Sequence, residues 1–206
     1  HIVAMFGCLL KGVPFIPFNF LLKPDDLVFI AQDAGIDILV VDLAFVKPEA
    51  FTFFKFFPNK ILIGAADAGQ MGEETQRFEE FLKSGKNENA FIRHQREAGI
   101  PDVILYTSGT TAKPKGVMLD EYQFDENCSG FLEHLDITPE DSAIVALPLF
   151  HSFGNIMTLV FLRVGATLIL IKQFQPKTIL TSIATNKATF LPLVPTIYSF
   201  LVDLYT

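Results

Sequence analysis

An apolar run that ends abruptly in hydroxyl, glycine and lysine residues is the feature that most restricts the fold. Residues 103–106 read as a buried strand, and residues 107–116 carry four side-chain hydroxyls, two glycines and two lysines. Hydroxyls contribute little to a hydrophobic core, but each hydroxyl and each neighbouring N–H can donate to an anion. Glycine also allows a close approach that a Cβ would block. The stretch therefore predicts a strand followed by a loop that binds a polyphosphate.

The spacing of this loop excludes the P-loop of the nucleoside triphosphatases. That motif requires Gly, four further residues and then Gly-Lys-Ser/Thr. Four residues after Gly109 the chain has Pro114 in the place of glycine, and Gly116 is followed by Val117. A solvated turn of serine, threonine and glycine is the other interpretation of the stretch.

Length and composition indicate one large domain or two small ones with a sizeable core. The chain has 206 residues, 50% of them hydrophobic, and includes 22 phenylalanines. A net charge of −7 without a basic tract argues against a nucleic-acid-binding protein. The two cysteines, Cys8 and Cys128, form no paired motif, so we expect reduced thiols and a cytoplasmic location.

One segment could be mistaken for a membrane span. Residues 142–162 contain no Asp, Glu, Lys or Arg, but Pro148, His151 and Asn155 lie near their middle. A membrane span is more evenly apolar. We therefore expect a buried strand, a loop and a helix, and no transmembrane segment.

Apolar patterning along the chain alternates between helix and strand, which is typical of an α/β fold with a mostly parallel sheet. Helices are expected at 4–11, mostly buried, at 24–34, at 73–83 with Phe78, Phe81 and Leu82 facing inward, and at 122–135, 156–162, 176–184 and 195–204. Strands are expected at 38–41, as a buried parallel strand, and at 60–63, 102–107, 142–146, 165–171 and 188–193. Residues 13–18 read as an edge strand or an extended loop.

A cluster of phenylalanines lies between the expected strands at 38–41 and 60–63. Its members are Phe51, Phe53, Phe54, Phe56 and Phe57. We interpret it as aromatic packing in the core. A surface that contacts lipid or acyl groups, and with it a peripheral membrane contact, is the alternative.

Residues 106–116 resemble the phosphate-binding signature of the adenylate-forming (AMP-binding) enzymes, which include acyl-CoA synthetases. That pattern is Tyr-Thr-Ser-Gly-Thr-Thr-Gly-x-Pro-Lys-Gly, and the chain departs from it at Ala112. The resemblance covers about residues 4–205 and implies stacked, mostly parallel sheets flanked by helices. It also implies that ATP phosphates are bound by Thr107, Ser108, Gly109, Thr110, Thr111, Lys113, Lys115 and Gly116.

A second motif, residues 148–154, resembles the family's Pro-Leu-Phe-His-x-x-Gly segment. A histidine among phenylalanines is more often a core residue than a catalyst, but this one follows a strand end, where open α/β sheets bind ligands. The resemblance implies that His151 lies near the substrate carboxylate, as the candidate catalytic residue. With the family's Val-Pro-Thr segment it implies an acyl pocket formed by Phe150, His151, Gly154, Pro195 and Thr196. No metal-binding residue is predicted.

The resemblance implies a domain organisation and a reaction. Residues 1–206 would be part of the AMP-binding N-terminal domain, with a first α/β portion at about 1–101 and the phosphate-loop and acyl-pocket portion at 102–206. The reaction would be ATP-dependent activation of a carboxylate to an acyl-adenylate, followed by thioester formation with CoA. ATP, Mg²⁺ and CoA are the implied cofactors and co-substrates, and a fatty acid is the expected substrate, with aromatic acids and acetate left open.

Two departures from the family favour an alternative. After the phosphate loop the family has Thr/Ser-His-x-Asn, whereas this chain has residues 120–123, which begin with two acidic residues. Acidic residues near a triphosphate are unfavourable unless they point away or meet a cation. The family's adenine segment, ribose-binding Asp and C-terminal lid domain with its lysine are also not found, so we expect a fragment that is inactive alone. The alternatives are a degenerate nucleotide-binding or scaffold protein on the same fold, and a structural domain with a fortuitous loop.

Overall fold

The chain folds into a mixture of helices and strands, as the apolar pattern predicts, although strands follow one another without an intervening α-helix within 38–77 and within 103–119. The computed structural model describes residues 1–46, 53–64, 75–85, 98–107, 113–172 and 174–205. These residues divide into two units, His1–Met118 and Leu119–Thr206. Each unit contains strands flanked by helices.

The first unit contains three α-helices, a short 3-10 helix at Leu43–Phe45 and five strands among its described residues. The helices are α1 (Ile2–Lys11), α2 (Pro24–Asp33) and α3 (Phe78–Ser84). The strands are β1 (Ile38–Asp42), β2 (Asn59–Ile63), β3 (Thr75–Arg77), β4 (Val103–Thr107) and β5 (Lys115–Leu119), which ends at the boundary between the units. Strands β1, β2 and β3 form a parallel sheet in that order, and β4 pairs with β5.

The core of the first unit lies between α2 and the three-stranded sheet. Helix α2 begins with Pro24 at its first position and two acidic residues in its first turn, a favourable start for a helix. Its apolar stripe packs with the sheet and the phenylalanine cluster, and the buried members are Leu27, Ala31, Leu39, Phe53, Phe54, Phe57 and Leu62. The core interpretation of the cluster is therefore confirmed for three phenylalanines. Phe56 is half exposed, and Phe51 lies outside the described residues.

Phe15 connects the segment after α1 to strand β4. Its backbone N–H donates to the carbonyl of Asp102 at 2.9 Å, and Ile104 N–H donates to the Phe15 carbonyl at 3.1 Å. This parallel bridge confirms the extended conformation expected for residues 13–18. It also holds β4 by backbone hydrogen bonds, so Thr107 is the last residue of a hydrogen-bonded strand.

The second unit contains α4 (Glu121–His134), β6 (Ser142–Val145), α5 (Ser152–Val164), β7 (Thr167–Leu170), α6 (Pro176–Asn186) and α7 (Pro195–Tyr205). Strands β6 and β7 are parallel, with Ser142 opposite Thr167. Helix α5 ends at Gly165, whose φ of 77° is the left-handed conformation that glycine adopts without strain. Residues 142–162 are thus a strand, a loop and a helix, as predicted. In the part of the chain that the structure describes, no helix is both long enough and apolar enough to cross a bilayer.

Four of the expected elements need correction. Helix α1 is not mostly buried, since Met5 is its one buried residue and the others are half-buried or exposed. Strand β1 is parallel but not buried on both faces, because Ile38 is 54% exposed. Residues 75–77 are a strand rather than the start of a helix, and Phe81 and Leu82 on α3 are exposed rather than inward. Within 188–193 the structure shows one bridge, Phe190 to Ala143, in place of a full strand.

Candidate functional site

The stems of the predicted phosphate loop are the ends of two paired strands. Strand β4 ends at Thr107 and β5 begins at Lys115. The Thr107 hydroxyl donates to the Lys115 carbonyl at 3.5 Å, so the stems are adjacent. Both residues are exposed, which leaves the lysine ammonium accessible to an anion. The predicted ligands Ser108, Gly109, Thr110 and Thr111, and the departure at Ala112, lie outside the described residues.

Gly116 is required by a close approach between β5 and the side chains of β4. A Cβ at this position would lie 2.9 Å from Cγ2 of Ile104 and 3.0 Å from Cζ of Tyr106. The Tyr106 ring therefore lies directly over the backbone of β5. Any larger residue would displace that ring from the stem of the loop.

Two side chains at the predicted phosphate loop, one on β4 and one in the loop, contact helix α2. The Tyr106 hydroxyl donates to Oδ2 of Asp33 at 2.6 Å. Burial, and then the hydrogen bond to Asp33, raise the pKa of the Tyr106 phenol well above its usual range, so it stays a neutral donor. Lys113 Nζ lies 4.8 Å from the centroid of the Phe29 ring, which is a cation–π contact. Lys113 and Phe29 also line an open depression of about 470 Å³ along α2.

In the second unit, His151 lies where the chain passes from β6 into α5. Its backbone N–H donates to the Pro148 carbonyl at 3.1 Å, and its own carbonyl accepts from Asn155 N–H at 2.9 Å. His151 is thus the N-cap residue of α5, and its side chain is exposed beside Phe150, with ring centroids 4.6 Å apart. The placement after a strand end agrees with the sequence prediction.

Gly154 allows α5 to pack tightly on the segment that leads to His151. A Cβ on Gly154 would lie 2.5 Å from the carbonyl oxygen of Pro148. One residue further along α5, the buried Asn155 donates its Nδ2 to the Leu149 carbonyl at 3.4 Å. Sequence reasoning singled out Gly154 as a site residue but noted Asn155 only as a polar residue in an apolar segment. A buried amide in a largely apolar helix usually makes a specific hydrogen bond, and this one does.

The second unit also has a cavity of about 390 Å³. Its lining is mostly aromatic and aliphatic and comprises Phe131, Leu135, Phe153, Met157, Phe161, Thr189, Phe190, Leu191, Pro192, Leu193 and Tyr198. The Tyr198 hydroxyl donates to the Leu191 carbonyl, which satisfies that polar group at the wall. None of the five predicted acyl-pocket residues lines this cavity. Pro195 and Thr196 begin α7 and are exposed.

The acidic residues that depart from the family pattern form the start of α4. Oδ1 of Asp120 accepts from the backbone N–H of Tyr122 at 3.1 Å and of Gln123 at 3.4 Å. Oε1 of Gln123 in turn accepts from Asp120 N–H at 2.8 Å, which completes a capping box. The Asp120 carboxylate is therefore committed to the N-terminus of the helix, where negative charge is favourable.

Comparison with known proteins identifies the family. The sequence matches the AMP-binding enzyme family over residues 1–206. A feruloyl-CoA synthase from an Amycolatopsis species is 28% identical over 201 residues, which cover 96% of this chain and 37% of that protein.

Solved structures show the same fold. A Rhodopseudomonas palustris protein described as a long-chain-fatty-acid CoA ligase superposes with a TM-score of 0.80 at 18% identity, over 98% of this chain and 49% of the other, a likeness of fold alone. An o-succinylbenzoate CoA synthetase from Bacillus subtilis, in complex with ATP and magnesium ion, gives a TM-score of 0.72 at 25% identity, over 98% of this chain and 38% of the other.

These comparisons confirm the predicted α/β fold class but do not single out fatty acids. The names of the three proteins refer to three different acyl substrates, namely feruloyl, long-chain fatty acid and o-succinylbenzoate. The chain spans between about a third and half of the length of these proteins. With a family match along its whole length and CoA ligases and synthetases as relatives, the chain belongs to the AMP-binding enzyme family.

Proposed function

We propose that this chain is part of the N-terminal domain of an ATP-dependent acid–CoA ligase. In this reaction a carboxylate oxygen attacks the α-phosphate of ATP, and pyrophosphate leaves. The CoA thiol then attacks the acyl carbon, loses its proton and displaces AMP. The observation that carries the proposal is the adjacency of Thr107 and Lys115 at the stems of the predicted phosphate loop. A cytoplasmic setting, expected from the unpaired cysteines, and a further lid domain, implied by the resemblance, are part of the proposal.

The chain's own residues would act mainly by positioning and by neutralising charge. Lys115 would contact the phosphates as a cation, together with the Thr107 hydroxyl and the loop between the stems. His151 would lie beside the substrate carboxylate, held by its place at the start of α5.

Magnesium enters this proposal with ATP rather than through a site built by the chain. In the described ranges, no three His, Cys, Asp or Glu side chains are grouped so that they could hold a metal ion. Mg²⁺ is commonly bound by one or two carboxylates plus the phosphates of its substrate. When bound, the ion would neutralise phosphate charge.

Replacement of Lys115 by alanine is the direct test of nucleotide binding. We expect the dissociation constant for Mg-ATP to rise about 10-fold, because a hydrogen bond from a charged donor to phosphate is lost. Isothermal titration calorimetry on this chain, and on any longer natural form, measures the effect. Lys177→Ala on α6 is the matched control, since it removes an exposed lysine from the second unit. Equal affinities for wild type and Lys115→Ala would contradict the proposed role.

We further propose an apolar carboxylic acid as substrate, with a medium-chain fatty acid as the first candidate. The support is the aromatic and aliphatic lining of the 390 Å³ cavity, which adjoins the same helix that begins at His151. A small acid such as acetate would leave most of that apolar surface without a partner.

Widening the cavity tests this choice of acid. Phe153→Ala removes one aromatic wall, so we expect the ratio of kcat/KM for long over short acids to rise by about 10-fold. Carboxylate-dependent pyrophosphate exchange in the longest natural form of the protein, measured with a series of acids, gives this ratio. Phe200→Ala removes a half-exposed phenylalanine that does not line the cavity and is the control. An equal change for every acid would show that the cavity does not bind the acyl group.

The capping box at Asp120 favours one alternative, a nucleotide-binding protein without ligase activity. Asp120 and Gln123 cap the N-terminus of α4 in this chain, whereas the family has Thr/Ser-His-x-Asn at positions 120–123. ATP binding without carboxylate-dependent pyrophosphate exchange in the complete polypeptide would support this alternative.

A further inference from the structure

Helix α2 presents two side chains, Phe29 and Asp33, on one face. They are four residues apart, and residues at this spacing are neighbours on a helix surface. The core side of the helix is formed by other residues, namely Leu27, Ile30 and Ala31. Phe29 and Asp33 are thus available for contacts outside the core of the first unit.

Asp33 contacts the β4 stem of the predicted phosphate loop, and Phe29 contacts a residue of the loop itself, Lys113. Asp33 accepts a 2.6 Å hydrogen bond from Tyr106, the residue directly before Thr107. Phe29 lies under the ammonium of Lys113, with 4.8 Å between Nζ and the ring centroid. One helix face therefore contacts the residue that precedes the loop and a loop residue two positions before β5.

The Tyr106 ring is also held from its other side. It lies over Gly116, where a Cβ would come within 3.0 Å of Cζ, the ring atom that carries the hydroxyl. A side chain at that position would push against the ring that carries the phenol. Strand β5, strand β4 and helix α2 are thus joined through one ring and one carboxylate.

We propose that Phe29 and Asp33 are positioning residues that hold the β4 stem and Lys113 of the phosphate loop on α2 and thereby set the loop's affinity for ATP phosphates. This inference rests on the proposed nucleotide-binding function. The Asp33 contact is the stronger of the two, because it is a short hydrogen bond to a charged acceptor, whereas the Lys113 contact is an exposed cation–π pair.

A double-mutant cycle on Asp33 and Tyr106 tests the proposal. We expect Asp33→Ala and Tyr106→Phe each to weaken Mg-ATP binding about 5-fold, and the double variant to be no weaker than either, because all three lack the same bond. Asp33→Asn keeps an acceptor oxygen and should restore affinity to within about 2-fold of wild type. Asp37→Ala, which removes an exposed carboxylate that precedes β1, should bind as wild type does.

Backbone hydrogen exchange provides a second readout that needs no nucleotide. In Asp33→Ala we expect faster exchange in 103–107 and in 115–119, while exchange in β1 and β2 stays unchanged. Independent effects of the two substitutions, so that the double variant loses about 25-fold, would overturn the proposal. So would unchanged exchange in the two stems.

The two readouts separate this inference from the proposed function. If the wild-type chain binds no Mg-ATP under conditions where it is folded, the nucleotide-binding proposal is wrong. The proposal that Phe29 and Asp33 on α2 set the affinity for ATP phosphates is then wrong as well. If Mg-ATP binds but the Asp33 and Tyr106 variants bind equally well, only the positioning role is wrong.

Discussion

Replacing Phe161 with alanine is expected to lower the free energy of unfolding by about 3–5 kcal/mol, the largest effect of any substitution considered for this chain. Phe161 lies on α5 and is 1% exposed. Its ring packs edge-to-face against Phe190, with centroids 5.3 Å apart. The site already borders a cavity, so the neighbouring side chains have little ability to fill the space left by the ring.

Urea denaturation followed by circular dichroism measures this loss. Phe200→Ala is the matched control, because it removes the same side chain from a position that is 50% exposed. We expect the control to cost less than about 1 kcal/mol. A loss below about 1 kcal/mol for Phe161→Ala as well would mean that the ring does not belong to the core of the second unit.

Gly154→Ala is expected to destabilise the second unit by about 3 kcal/mol, although it adds only one methyl group. The new Cβ would lie 2.5 Å from the Pro148 carbonyl oxygen and 3.1 Å from its carbon. Both are backbone atoms, so no rotamer change can relieve the overlap. Either α5 or the segment before it must move, and His151 joins the two. In an active form of the protein we therefore also expect a lower kcat/KM.

The chain provides a second helical glycine for comparison. Gly130 lies within α4, and a Cβ there would meet no atom within 4 Å. Gly130→Ala should stabilise the protein by up to about 1 kcal/mol, because alanine has the higher helix propensity. If both glycine variants shift the unfolding midpoint in the same direction, a close approach at Gly154 is not what determines its effect.

The elements that were predicted well are those with a local signal. Helix α2, for example, has a proline and acidic residues at its start. The parallel strands β6 and β7 are short apolar runs separated by a helix that ends in glycine. Each of these signals is carried by residues close together in sequence, so each can be read without the fold.

The errors arose where pairing between distant segments decides the structure. Residues 75–77 form a strand because they pair with β2, and their own composition does not predict this pairing. The exposure of Phe81 and Leu82 likewise depends on which neighbours reach α3, since the same apolar pattern suits a buried or an exposed face.

The sequence by itself determined the family, most of the helices and strands and the positions of the two motifs, because motif spacing and turn chemistry are local properties. Only the tertiary structure decided which residues meet. Tyr106 and Asp33 are 73 positions apart, yet they form a short hydrogen bond at the stem of the loop. The cavity of the second unit collects its walls from three separate segments. Such contacts depend on how elements pack against one another. Packing brings together residues that are far apart in the chain, and no local sequence pattern predicts which residues these are.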